Sequence, residues 1–206
     1  MSPQDSTLTL DQFFAPRSVA VVGASADTTK LGYAVLNNVV EHGFTGAVYP
    51  INPKVDQILG LTAYASLTAV PGDIDLAVIV VPPRAVAGVL EEAGQKGVKG
   101  AVVITAGFRE VGPQGMAMEK ELLAIARKTG MRLIGPNCLG IIDTYAPLQA
   151  SFALGMPMQG QIAFMSQSGA LCTSILDMAL ADDIGFSRFV SLGNKADLNE
   201  IDFLQV

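Results

Sequence analysis

Tryptophan is missing from this chain of 206 residues, histidine occurs once, at His42, and cysteine twice, at Cys138 and Cys172. One imidazole and two well-separated thiols leave no metal site legible. Without a second histidine to act as base, a serine hydrolase is disfavoured. Met1 to Leu8 is polar, with neither a basic leader nor an apolar core, so no secretory signal is visible. Two thiols without an export signal are expected to be reduced and unpaired, and a cytoplasmic location follows by default. Long apolar runs are lacking too. The longest, Leu76 to Val81, is far below the roughly 18 residues of a spanning helix, which argues against a membrane partner. It ends in Pro82-Pro83 and reads as a buried parallel strand. Basic clusters are also absent, and with a net charge of −6 nothing suits the chain to a nucleic-acid backbone.

What is present suits a chain of alternating strands and helices. Half of the residues are hydrophobic, and 21 glycines with 11 prolines imply many tight turns. The length exceeds an average single domain and falls short of two full ones. Ser18 to Val22 reads as a strand broken by Gly23. Leu31 to His42 repeats apolar residues at helical spacing, with Gly43 as its cap and His42 placed to interact with the helix dipole. Strands follow at Ala47–Ile51, Leu76–Val81, Ala101–Thr105 and Arg132–Ile134, with helices at Arg84 to Lys96 and Met116 to Thr129 between them. Such alternation predicts an α/β fold: a doubly wound parallel sheet with helices on both faces. Ligands of such sheets sit beyond the carboxyl ends of the strands. The turns of interest are therefore 23–25, 52–54, 81–83, 104–107 and 135–138. Asp143 to Gln159 reads as a linker or domain crossing. Gln161 to Met165 and Arg188 to Leu192 are then strands of a second α/β unit, with a helix opening at Ser166-Gln167-Ser168-Gly169. The expected division is residues 1–146 and 147–206, the second unit begun but not completed.

Several turns carry candidate chemistry. Gly23-Ala24-Ser25 lets the backbone approach a phosphate at a helix N-terminus, although the full G-x-G-x-x-G spacing is absent and the turn could be a plain chain reversal. Lys54, in Asn52-Pro53-Lys54, stands where a nicotinamide dinucleotide site usually has an acid. That favours a phosphorylated ribose, as in coenzyme A or NADP, unless it is a surface lysine. Pro82 could wall an adenine or pantetheine, or simply stop a strand. Ser166, Ser168 and Gly169 could cradle a phosphate with N–H and O–H donors, against the alternative of an ordinary N-cap. Cys138, on a ligand-facing turn, reads as a small buried residue.

Together these turns resemble the CoA-binding domain of NDP-forming acyl-CoA synthetases, the ADP-forming acetyl-CoA synthetase group, relatives of the succinyl-CoA synthetase α subunit. The resemblance opens with Phe14-Ala15-Pro16-Arg17-Ser18-Val19-Ala20-Val21-Val22-Gly23-Ala24-Ser25. It continues through Tyr49-Pro50-Ile51-Asn52-Pro53-Lys54, Val80-Val81-Pro82-Pro83 and Val103-Ile104-Thr105-Ala106-Gly107-Phe108. Ile134-Gly135-Pro136-Asn137-Cys138-Leu139-Gly140, Ser166-Gln167-Ser168-Gly169-Ala170 and Leu192-Gly193-Asn194-Lys195-Ala196-Asp197 complete it, in order across nearly the whole chain. The resemblance implies a Rossmann-like domain followed by the beginning of a flavodoxin-like one.

It also implies a reversible reaction of acyl-CoA, ADP and phosphate to acid, CoA and ATP, through an acyl phosphate and a phosphohistidine. On this reading Gly23, Ala24, Ser25 and Lys54 hold the nucleotide end of CoA. Pro82, Ile104, Thr105 and Ala106 line its path, Asn137 faces the thioester, and Ser166, Ser168 and Gly169 bind the phosphoryl group. The family's phosphorylated histidine and its ATP-grasp domain, which use ATP or ADP with magnesium, have no counterpart in the sequence. His42 does not match, so no catalytic residue is assigned, and the isolated chain is expected to bind CoA or acyl-CoA without completing the cycle. Succinyl-CoA relatives carry tyrosine where Thr173 stands, so succinate specificity is not supported. A homo-oligomer is compatible with this reading. The alternatives are a CoA- or acyl-CoA-sensing module of a protein lysine acetyltransferase and, ranking lower, an NADP-dependent reductase, for which no acid–base pair is apparent.

Overall fold

The structure is a computed structural model and describes residues 10–205, so the signal reading of Met1 to Leu8 lies outside the described residues. After a short helix α1 (Asp11–Phe14) the chain alternates as expected: β1 (Ser18–Val22), α2 (Leu31–Glu41), β2 (Ala47–Ile51). A small hairpin, β3 (Gln57–Ile58) and β4 (Leu61–Thr62), precedes β5 (Leu76–Ile79), α3 (Pro83–Lys96) and β6 (Gly100–Val103). Then come α4 (Pro113–Thr129) and β7 (Arg132–Ile134). The parallel sheet has the order β2-β1-β5-β6-β7. Strand order therefore reverses between β1 and β5, and a crevice opens at their carboxyl ends.

β1, β5 and β6 are buried along their whole length. A parallel strand covered on both faces needs apolar residues at every position, so these segments read as continuous runs rather than alternations. The two faces still separate by parity. Val19, Val21, Leu76, Val78 and Val102 pack with α1 and α2. Ala20, Val22, Ala77, Ile79, Ala101 and Val103 pack with α3 and α4. The helix ends are set locally: Pro83 and Pro113 occupy first-turn positions where no N–H is needed, and Gly97 and Gly130 close α3 and α4 with left-handed φ of 84° and 71°. His42 is the C-cap of α2.

The stretch expected as a linker departs from that reading. β8 (Gly140–Asp143) and β9 (Leu148–Ser151) form an antiparallel hairpin that joins β10 (Gln159–Ser166) and β11 (Phe186–Ser191) in a second sheet of order β10-β11-β8-β9. Leu148, Gln149, Ala150 and Ser151 are all buried. A four-residue strand covered on both faces shows neither alternation nor a long apolar run, which is why periodicity missed it. α5 (Gly169–Ala181) covers one face of this sheet, and α6 (Glu200–Leu204) follows β11.

The other face, through Ile141, Leu148, Ala150 and Val190, shares a core with α2 and the first sheet. Arg132 seals the seam with a two-point contact to Asp197, Nε to Oδ2 at 2.9 Å and Nη2 to Oδ1 at 3.3 Å. Among the described residues no helix is long and apolar enough to cross a membrane.

Candidate ligand-binding site

A cavity of about 960 Å³ lies at the crevice between β1 and β5, at the upper end of the usual size for small-molecule sites. Its floor is made by the chain as it leaves the strands: Gly23 after β1, Val80 to Pro82 after β5, Ile104 to Ala106 after β6, and Asn137 and Cys138 after β7. Lys30, Leu31 and Gly32 open α2 against it. The second sheet closes the far side with Leu139, Phe152, Thr173 and the start of α5, Gln167 to Ala170.

Gly23 has φ of 91°, and a Cβ there would lie 2.5 Å from the carbonyl oxygen of Val80. A side chain on Gly32 would collide with the carbonyl oxygen of Gly23. The two glycines thus let α2 begin directly on the β1 turn. Lys30, the N-cap of α2, makes no side-chain cap, so the first amides of this helix are not capped from within. α5 presents its own N-terminus to the same cavity, with Ser168 capping by accepting from Leu171 N at 3.2 Å. Two positive helix ends and a lysine therefore face a cavity whose lining contains no Asp or Glu. Such a site favours an anion. Asp27 lies outside the lining, 3.9 Å from Lys30. The hydroxyl and amide of Thr29, then Lys30, hold its carboxyl below the ordinary range.

The walls are held by specific contacts. Thr105 Oγ1 donates to Val81 O at 2.7 Å, and Asn137 N donates to Thr105 O at 2.9 Å. Asn137, with φ of 58°, donates from Nδ2 to Asn194 Oδ1 at 3.3 Å. Glu110 accepts from Asn194 and from the amides of Gly107 and Phe108. Burial would raise its carboxyl, but these hydrogen bonds outweigh that and hold it below the ordinary range. Burial pushes the Cys138 thiol up to about 12.

Of the residues singled out from sequence, Gly23, Pro82, Ile104, Thr105, Ala106, Asn137, Ser168 and Gly169 meet in this cavity. Ala24 is buried beneath it and accepts at its carbonyl from Asn52 Nδ2, 2.8 Å away. Ser25 accepts from Asp27 N at 3.0 Å, and Ser166 from Ser168 N at 3.1 Å, both outside the lining. Lys54 is exposed on the turn that Asn52 ties to Ala24. Sequence reasoning overlooked Lys30, Gly32 and Phe152, and named Gln167 only within the Ser166–Gly169 turn without giving it a role. Of the three overlooked residues only Gly32 had a visible signal, a glycine in the first turn of an otherwise regular helix.

The CoA binding domain family matches residues 17–144, well over half of the chain. This chain belongs to that family. Residues 159–206 match the succinyl-CoA ligase like flavodoxin domain. The CoA-binding chain is 51% identical over 196 residues to the α subunit of ADP-forming acetate–CoA ligase II of Pyrococcus furiosus, covering 95% of this chain and 42% of the relative. It is 52% identical over 190 residues to an ADP-forming acetate–CoA ligase of Methanocaldococcus jannaschii, covering 92% of this chain and 26% of that one. It therefore spans less than half the length of these relatives. An acetyl-coenzyme A synthetase of Ca. Korarchaeum cryptofilum, solved with phosphate and ADP, superposes with a TM-score of 0.92 at 45% identity, over 95% of this chain and 42% of that one.

Proposed function

We propose that this chain is the coenzyme A-binding portion of an ADP-forming acyl-CoA synthetase, which interconverts acyl-CoA, ADP and phosphate with acid, CoA and ATP. The observation that carries the reading is the cavity at the strand-order reversal, faced by two helix N-termini and Lys30 and lined by no carboxylate. Coenzyme A fits that donor set, because its phosphates need unpaired amides and cations while its pantetheine arm needs a long, partly apolar slot. Gly23, Gly32, Lys30 and the first amides of α2 would hold the diphosphate, with Ala24 and Ser25 shaping the turn and Lys54 reaching the 3′-phosphate. Pro82, Ile104, Thr105 and Ala106 would flank the arm, and Asn137 would face its thiol end. Ser168 and Gly169, with Ser166 beneath them, would hold a phosphoryl group at the start of α5. CoA supplies the thiol that carries the acyl group.

The phosphohistidine step is not assigned to this chain, because His42 caps α2 and does not line the cavity. That step, together with ATP or ADP and magnesium, belongs in this reading to further domains or subunits of the ATP-grasp type in a cytoplasmic enzyme. The division at 146/147 is kept as part of the proposal; it falls in the turn between β8 and β9 and so assigns β8 of the second sheet to the first unit. Calorimetric titration of the full chain with CoA and dephospho-CoA tests the coenzyme A assignments. CoA should bind more tightly, Lys54→Ala should erase the difference, and affinity should fall with added salt. No CoA binding, or equal affinity for the two coenzymes in the unaltered chain, would refute the phosphate assignments.

A further inference from the structure

Asn194 is buried in the loop after β11, and its side-chain nitrogen donates to two carboxyl groups, Glu110 Oε2 at 2.6 Å and Glu119 Oε2 at 2.8 Å. An amide nitrogen only donates and an amide oxygen only accepts, so two carboxyl oxygens on one side fix which end of Asn194 points where. The reversed amide would set Oδ1 against both carboxyl groups in a buried place, leaving acceptors facing acceptors. Oδ1 is thereby turned to Asn137, whose Nδ2 donates to it at 3.3 Å. That contact orients a second amide. The nitrogen of Asn137 is committed to Asn194, and its Oδ1, which no described residue reaches as a donor, remains for the cavity that Asn137 lines.

The loops are stitched so that this orientation persists. Asn194 N donates to Pro136 O at 2.8 Å, and Ala196 N to Gly135 O at 3.0 Å. Glu119 is steadied by Arg109, whose Nε lies 3.5 Å from Oε1.

We propose that Glu110 and Glu119, acting through Asn194, are positioning residues that make Asn137 present a hydrogen-bond acceptor to a donor on the pantetheine arm of the ligand. This rests on the coenzyme A reading above. A loop of the second sheet thus sets the polarity of a wall of the first sheet's cavity.

Asn194→Leu keeps the side-chain size and removes the oxygen that orients Asn137. Calorimetry on the full chain should show CoA affinity falling about three- to tenfold, the equivalent of one hydrogen bond. Affinity for adenosine 3′,5′-bisphosphate, which lacks the arm, should be unchanged. Asn194→Asp combined with Glu110→Gln and Glu119→Gln reverses both donor–acceptor pairs, keeps an oxygen facing Asn137, and should hold CoA affinity near that of the unaltered chain. Equal loss for both ligands in Asn194→Leu, or the same loss of CoA affinity in the triple variant, overturns the relay. Should Asn194→Leu fail to fold, Asn137→Gly, which suits the φ of 58°, removes the acceptor itself; unchanged CoA affinity there overturns the proposal and selective loss supports it. An unaltered chain that binds neither ligand refutes the coenzyme A reading instead, and the relay with it.

Discussion

Replacing Gly32 by alanine puts a methyl group into the place where α2 begins on the β1 turn. The new carbon would collide with the carbonyl oxygen of Gly23 and lie 2.9 Å from its carbonyl carbon and 3.3 Å from Cα of Ala24. Two effects oppose each other. Alanine is the better helix former by about 1 kcal/mol. Overpacking against backbone, which cannot rotate aside, costs about 3 kcal/mol, the upper part of the usual range. The clash wins by about 2 kcal/mol, which lowers Tm by about 4–8 °C in a chain of this size. CoA affinity should fall as well, because relief of the clash displaces the Gly23 turn. Gly88, exposed in α3 with nothing within 4 Å of a built Cβ, supplies the control. There only propensity acts, and Gly88→Ala should raise Tm by about 2–4 °C. Scanning calorimetry with and without CoA reads both. If Gly32→Ala melts at or above the unaltered chain, the close approach of α2 to Gly23 is wrong, and the proposed phosphate cradle with it.

Two further outcomes follow from buried and titrating groups. Burial holds the Cys138 thiol near 12 and raises that of Cys172, so a disulfide reagent near neutral pH should leave the folded chain unmodified and titrate both thiols once it is unfolded; rapid native labelling of Cys138 would contradict its placement. Glu110 has its folded value below the ordinary 4.5. Its contribution to stability is therefore complete above that value and is lost as pH falls through the folded one. Glu110→Gln should lower Tm near neutral pH and matter progressively less on acidification below about 4.5; a gap that stays constant down the acid limb would count against the hydrogen bonds assigned to that carboxylate.

Much of the first sheet was legible because parallel strands buried on both faces spell themselves as short apolar runs. Their ends were less so. Leu76 to Val81 reads as one strand, yet the strand stops at Ile79 and Val80 and Val81 turn out to wall the cavity. β9 was hidden by its brevity and by Gln149 and Ser151, polar residues buried in it. The site was visible as a set of turns at strand ends, since the fold class alone says where ligands go. What could not be read was which later segment folds onto those turns. Lys30 reaches the cavity because the loop after Ser25 returns to the sheet, and Phe152 because the β8–β9 hairpin lies over α2. The Asn194 contacts join residues 84 and 75 positions apart, and no local pattern announces such a meeting.

The shared cavity has a consequence for how this chain can be divided. Family matches end at residue 144 and resume at 159, but Gly23 and Thr105 face the same space as Phe152, Gly169 and Thr173. The seam between two inherited modules runs through the middle of the cavity. A chimera that kept the first module and exchanged the second would retain the Gly23 turn and lose the opposite bank, so neither half can drift in shape without the other adjusting to it.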